Sequence, residues 1–162
     1  MKYFLDTEFI EYPNTIDLIS IGIVAEDGRE YYAISSEFDE SKASQWVKDN
    51  VISKLVDKYN RLPRSVIARE IIEFIGSDKP EFWGYYTDYD WVVFCWLFGT
   101  MMELPKGFPM YCNDIKQLCN SLGNPELPKM QGQDHNALDD AKQHKACYEF
   151  LTGNNHLIEV RR

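Results

Sequence analysis

The chain has no basic excess: 17 Lys and Arg stand against 26 Asp and Glu, for a formal charge of −9. Broad adhesion to nucleic acid comes from counterions displaced by clustered Lys and Arg, so a large basic footprint is excluded. An enzyme acting on nucleic acid is not, because acidic side chains that hold divalent cations reverse the local sign and recruit phosphate oxygens. Any apolar run able to span a bilayer is also missing, and Asp6 stops the opening run of Met1 to Leu5 far short of a secretory signal. A soluble cytoplasmic protein with no membrane partner is expected. Cysteine is sparse: Cys95, Cys112, Cys119 and Cys147 lie far apart with no C-x-x-C pair, so idle thiols are expected and a zinc site is not.

What is present is enough apolar material for a core, 44% hydrophobic residues in 162, and the length suits one domain over residues 1–162. Residues 3–10 (YFLDTEFI) and 16–25 (IDLISIGIVA) read as strands, and Asp27-Gly28 before the run 31–34 signals a hairpin. The first three strands therefore form an antiparallel meander. From Ser41 to Tyr59 the pattern predicts an amphipathic helix, and 63–76 predicts another. Glu81 to Tyr86 reads as a fourth strand, and 90–98 as a buried helix ending at Gly99. A short strand near 110–112, a helix over 113–122, a Gly- and Pro-containing loop over 123–134 and a last helix over 137–151 complete an α/β layered sheet. The tail carries Arg161 and Arg162.

Three acidic groups interrupt this pattern. Asp6 and Glu8, two apart in the first strand, point to one face of the sheet, where burying carboxylates is costly unless a cation or hydrogen bonds compensate. An edge strand with its acids in water is the plain alternative. Asp88 and Asp90 stand where the fourth strand enters its helix, and acids there commonly cap the helix or oppose its dipole. In the third group, His135-Asn136-Ala137-Leu138-Asp139-Asp140, Asn136 suits the N-cap and Asp139 a capping-box variant, which leaves Asp140 as the better metal ligand. His135 lies in the loop, with a side chain suited to proton transfer near neutral pH.

Asp-x-Glu in FLDTEF, then Asp in YTDYDWVVF, then HNALDDA resembles the DEDDh family of 3′-to-5′ exonucleases. The run LDTEFIEYPNTIDLISIGIVAEDGREYYAIS is similar to the small, single-domain exoribonucleases of mycobacterial type within it. The resemblance implies a ribonuclease H-like three-layer fold, with helices flanking a mixed five-stranded sheet. It also implies that Asp6, Glu8, Asp90 and Asp140 hold two Mg²⁺ or Mn²⁺ ions, with His135 as general base. The implied reaction is hydrolysis from the 3′ end of single-stranded RNA, or of a 3′ overhang, to nucleoside 5′-monophosphates. Asp88 competes with Asp90 and Asp139 with Asp140; Tyr89, the aromatic residue just before Asp90, favours Asp90. Phe9, directly after Glu8, and Thr7 occupy positions that meet substrate in such enzymes, although Phe9 faces away from Glu8 on an ideal strand unless the strand bends. Lys129, Lys142 and Lys145 suit phosphates or a solvated helix face equally. His144 and His156 receive no role. A homodimer, common in that family, is compatible with the Trp- and Tyr-rich composition. The rival expectations are an exodeoxyribonuclease using the same carboxylates, and a non-catalytic RNA- or protein-binding module on the same fold.

Overall fold

The computed structural model describes residues 1–55, 61–132 and 134–153. A long hairpin forms its centre. Strands β1 (Lys2–Tyr12) and β2 (Thr15–Ala25) pair antiparallel along their whole length, and β3 (Glu30–Ser35) extends the meander. Three further strands follow: β4 (Arg61–Leu62), β5 (Glu81–Gly84) and β6 (Asn113–Asp114), in the sheet order β4-β3-β2-β1-β5-β6. The sheet is thus mixed as expected but has six strands rather than five. The additional strand is β4, a two-residue strand pairing with Ile34 and Ser35, too short to show as periodicity. The strand anticipated at 110–112 forms instead at Asn113 and Asp114, where it pairs with Trp83 and Gly84.

The helices are α1 (Gln45–Asn50), α2 (Arg64–Ile75), α3 (Asp88–Trp96), α4 (Ile115–Ser121) and α5 (Ala137–Gly153). The single helix expected from Ser41 to Tyr59 is broken into α1 and two short 3₁₀ turns, Glu40–Lys42 and Ile52–Lys54. Residues 56–60 of that expectation lie outside the described residues, as do His156, Arg161 and Arg162. Asp39 caps the first turn and Ser44 caps α1, so the helix starts anew inside the expected run; at Val51 α1 gives way to the second 3₁₀ turn, which no side chain caps.

Alternation along β1 sorts the layers. Tyr3 and Leu5 point into a core with Ile67 and Ile71 of α2, Phe82 of β5, and Val93 and Phe94 of α3. Phe4 points the other way, against Ile115, Cys119, Cys147 and Leu151 of α4 and α5. A third cluster, Ile10, Ile19, Ala43 and Val51, seats α1 and its flanking turns on the far end of the hairpin. The four cysteines are free thiols, three buried and Cys112 half-buried. No helix of the described residues is long and apolar enough to cross a membrane.

Candidate active site

Asp6 and Glu8 share the face of β1 that carries Phe4, so they meet α5. Helix α5 starts beneath them because Asn136 caps it, its Oδ1 accepting from the Leu138 and Asp139 amides at 3.1 and 3.2 Å. One residue further on, Asp140 rises to the strand. Carboxylate oxygens of Asp6, Glu8 and Asp140 lie within 4.8 Å of one another. Asp139 turns aside toward Lys142, at 3.8 Å.

The close approach depends on a glycine. Gly22 pairs with Asp6 across β1 and β2, and a Cβ built there would lie 2.2 Å from the Ala137 carbonyl oxygen. The first turn of α5 therefore rests directly on the β2 backbone, which no residue with a side chain permits.

Asp90 approaches from the opposite layer. Pairing of β1 with β5 ends at Phe4 and Trp83, which leaves the next polar groups of β1 to side chains. Asp90 Oδ1 accepts from the Thr7 amide at 2.9 Å and from the Thr7 hydroxyl at 2.5 Å. On the α5 side His144 Nδ1 meets the Leu5 carbonyl at 2.9 Å. A carbonyl only accepts, so Nδ1 carries the proton and Nε2 presents its lone pair toward Asp6 Oδ1, 3.8 Å away. Asp90 is buried whereas Asp88 is exposed. Asp90 stands beside the compact trio rather than within it.

Crowding and burial set the protonation of these acids. Burial, then the charges of Asp90, Glu8 and Asp140, push the Asp6 carboxyl well above the usual carboxylate range. Glu8 is raised to about 8 by burial and by Asp140 and Asp90, with Lys54 opposing. Burial raises Asp140 to about 6, against the pull of His135. Asp90 also rises to about 6 through burial, while the Thr7 hydrogen bonds hold it down. Burial lowers His144 to about 4, so it is neutral. Three repelling, half-buried carboxylates with no Lys or Arg ion pair among the described residues form an all-oxygen donor set of the kind hard divalent cations take.

Two pockets flank the trio. One, of about 330 Å³, is lined by Glu8, Phe9, Glu11, Ser44, Trp46, Val47, Val51 and His135. Phe9 reaches the same pocket as Glu8 because the β1–β2 register shifts between these two residues: Glu8 lies opposite Ser20 and Phe9 opposite Leu18. Such a bulge adds twist and re-aims the side chain. Phe9 also meets the ring of Tyr89, with centroids 5.9 Å apart. The other pocket, lined by Tyr85, Met130, Asp140, His144 and others, opens beyond Asp140. His135 is exposed on a left-handed turn, φ 62°, with its ring 4.9 Å from that of Trp46.

The residues read from sequence fall into three positions. Asp6, Glu8 and Asp140 converge, Asp90 and His135 flank them, and Thr7 is buried with its hydroxyl on Asp90. Gly22, Trp46, Lys54 and His144 escaped that reading. Gly22 carried a signal, a lone glycine within a β-branched strand; His144 carried a weaker one, four residues after Asp140 on one helix face. Thr7→Val removes one hydrogen bond to an ionised carboxylate while the amide bond stays, so a loss of about 2 kcal/mol is expected in chemical denaturation. Mn²⁺ affinity should fall several-fold with it.

Residues 1–152 match the family model of the 3′-5′ exoribonuclease Rv2179c-like domain. The chain is 43% identical over 157 residues to 3′-5′ exoribonuclease Rv2179c of Mycobacterium tuberculosis (strain ATCC 25618 / H37Rv), covering 94% of each chain. Identity is the same, 43% over 157 residues, to 3′-5′ exoribonuclease MT2234.1 of Mycobacterium tuberculosis strain CDC 1551 / Oshkosh. Among solved structures, S. pombe Pop2p in its Mg²⁺- and Mn²⁺-bound form superposes with a TM-score of 0.62 at 11% identity, over 94% of this chain and 83% of that one. Exonuclease I gives 0.61 at 14%, over 94% of this chain and 40% of that one. These two likenesses establish the fold, which is ribonuclease H-like.

Proposed function

Because the chain belongs to the Rv2179c-like 3′-5′ exoribonuclease family, we propose that it shortens single-stranded RNA from the 3′ end, using Mg²⁺ or Mn²⁺ held by Asp6, Glu8, Asp90 and Asp140. The observation that carries this reading is the convergence of Asp6, Glu8 and Asp140, distant in sequence, to within 4.8 Å on the face that α5 covers. When bound, the divalent cations supply Lewis-acid activation of water and neutralise charge on the phosphate oxygens.

The chain's own residues do the rest. Asp6 and Glu8 offer carboxylates from a rigid central strand, and Asp140 closes the set from the capped start of α5. Thr7 occupies one oxygen of Asp90 and so leaves Oδ2 for the site; buried and lining neither pocket, it acts as a positioning residue rather than the substrate contact expected from sequence. His135 takes the proton of the attacking water as the water oxygen bonds to phosphorus. The bond from phosphorus to the 3′ oxygen of the preceding nucleotide breaks, that oxygen takes a proton from solvent to become the new 3′-hydroxyl, and a nucleoside 5′-monophosphate leaves. The Phe9 pocket receives the terminal base, an aromatic wall being indifferent to which base stacks on it.

The test is a 5′-end-labelled single strand, prepared as matched RNA and DNA, incubated with Mn²⁺, with Mg²⁺ or with chelator. The expected result is a ladder shortening one nucleotide at a time on RNA, absent with chelator and reduced about 10²- to 10⁴-fold by His135→Ala. Internal fragments as first products, or faster cleavage of DNA than of RNA, would overturn the reading.

A further inference from the structure

His135 is held in place from a part of the chain that contributes no carboxylate. Its backbone adopts φ 62°, a left-handed conformation uncommon for a residue with a side chain, which contacts from outside the turn help to hold. Among the described residues, two such contacts come from the broken helical segment 44–55. The Trp46 ring meets the His135 ring edge to face, with centroids 4.9 Å apart and planes at 80°. Lys54 Nζ donates to the carbonyl of Asp134, the residue before His135, at 3.3 Å. The same ammonium faces Glu8, whose proton affinity it lowers.

The segment is itself fixed. Ser44 Oγ accepts from the Val47 amide at 3.2 Å and caps α1, and Val51 is buried with Ile10 and Ile19 on the hairpin. Ile10 lies two residues beyond Glu8 on β1, and Ile19 is the residue displaced by the register shift opposite Glu8 and Phe9. One rigid strand end therefore anchors both the carboxylate Glu8 and the segment that reaches over to His135.

We propose that Trp46 and Lys54 are positioning residues for His135, a clamp from segment 44–55 that holds the turn 134–136 against the carboxylate trio. This rests on the reading of His135 as the base. Proton transfer tolerates little misplacement, and an error of about 1 Å in a catalytic group costs on the order of 10²-fold. Lys54 lies outside the Phe9 pocket and so acts on kcat through the turn, whereas a substrate contact acts on KM; Trp46 also lines that pocket, so turnover is read on the Lys54 variants.

The test uses the full chain with Lys54→Met, Lys54→Arg and Trp46→Leu, read in two ways. In the metal-free, substrate-free protein, the His135 ring-proton resonances, identified by their loss in His135→Gln, should be displaced by the Trp46 ring current. The displacement should vanish in Trp46→Leu and fall by more than half in Lys54→Met, with Lys54→Arg restoring it. In RNA turnover, Lys54→Met should lower kcat about ten-fold with KM within about two-fold, and Lys54→Arg should recover most of the loss. Unchanged resonances and kcat in Lys54→Met would overturn the clamp, as would a rise in KM alone. Full activity of His135→Gln would instead remove the assignment of the base. The resonances would still report whether the turn is held.

Discussion

Asp6→Asn is expected to lower RNA hydrolysis by about 10³-fold or more and, at the same time, to make the metal-free protein harder to melt. The opposed signs are the informative part. In the metal-free fold Asp6 is half-buried beside Glu8, Asp90 and Asp140, and its charge is disfavoured by desolvation first and by those neighbours second. An amide of the same shape carries no charge to desolvate or to repel its neighbours. The expected gain is about 2 kcal/mol, or a rise in Tm of about 4–8 °C for a chain of this size. A carboxylate serving only to hold the fold would show the reverse, a loss on substitution. Adding Mn²⁺ should raise the Tm of the unsubstituted protein by mass action and do much less for the variant.

The same crowding gives the metal-free protein a pH dependence of definite sign. Asp6, Glu8, Asp90 and Asp140 all have carboxyl groups raised above the ordinary value of about 4. The folded state therefore holds protons that the unfolded chain has released. Their contribution to stability is complete below about pH 4 and is lost as pH rises through about 6, for Asp90 and Asp140, and on to about 8 for Glu8. Thermal melts in chelator should thus decline between about pH 5 and 8, and Mn²⁺ should flatten the decline. A flat profile in chelator would mean that the acids are better solvated than their packing indicates.

Much of the site was legible because strand and helix periodicities are local. Asp6 and Glu8 fall on one face by alternation alone, and the Asn136 cap left Asp140 unaccounted for by any local duty. Phe9 shows where local reasoning stops. Ideal alternation turns it away from Glu8, and what brings both to one pocket is a register shift whose extra residue lies in β2, a property of the pairing and not of either strand. Helix α1 fails in the same manner: apolar periodicity continues past Asn50, but Ser44 starts the helix anew inside the run and the backbone passes at Val51 into a 3₁₀ turn that no side chain caps. The strands β4 and β6 have two residues each and exist only because neighbouring strands offer them hydrogen bonds. Trp46 and Lys54 lie 89 and 81 positions before His135 in sequence, and nothing in their own surroundings announces the contact.

Gly22 binds fold and chemistry together, and Gly22→Ala is expected to damage both. The added methyl would stand 2.2 Å from the Ala137 carbonyl oxygen and 2.5 Å from the Leu138 Cα, both backbone atoms that no side-chain rotation can clear. Relief requires α5 to move away from the sheet at its first turn. That turn carries the Asn136 cap and, within one further residue, Asp140, so the motion opens the trio at the member least able to compensate. Forcing even one methyl into a packed contact costs about 1–3 kcal/mol, and a backbone clash this close belongs at the upper end. Activity should fall by about 10²-fold, in line with displacement of a catalytic carboxylate by about 1 Å. Gly153→Ala is the control, since a Cβ at that position meets nothing within 4 Å, and its stability should stay within about 0.5 kcal/mol of the parent. Chemical denaturation of the two variants, with Mn²⁺ titration of each, separates the outcomes. If Gly22→Ala matches Gly153→Ala in both measurements, α5 does not rest on β2 as described, and the convergence of Asp140 with Asp6 and Glu8 fails with it.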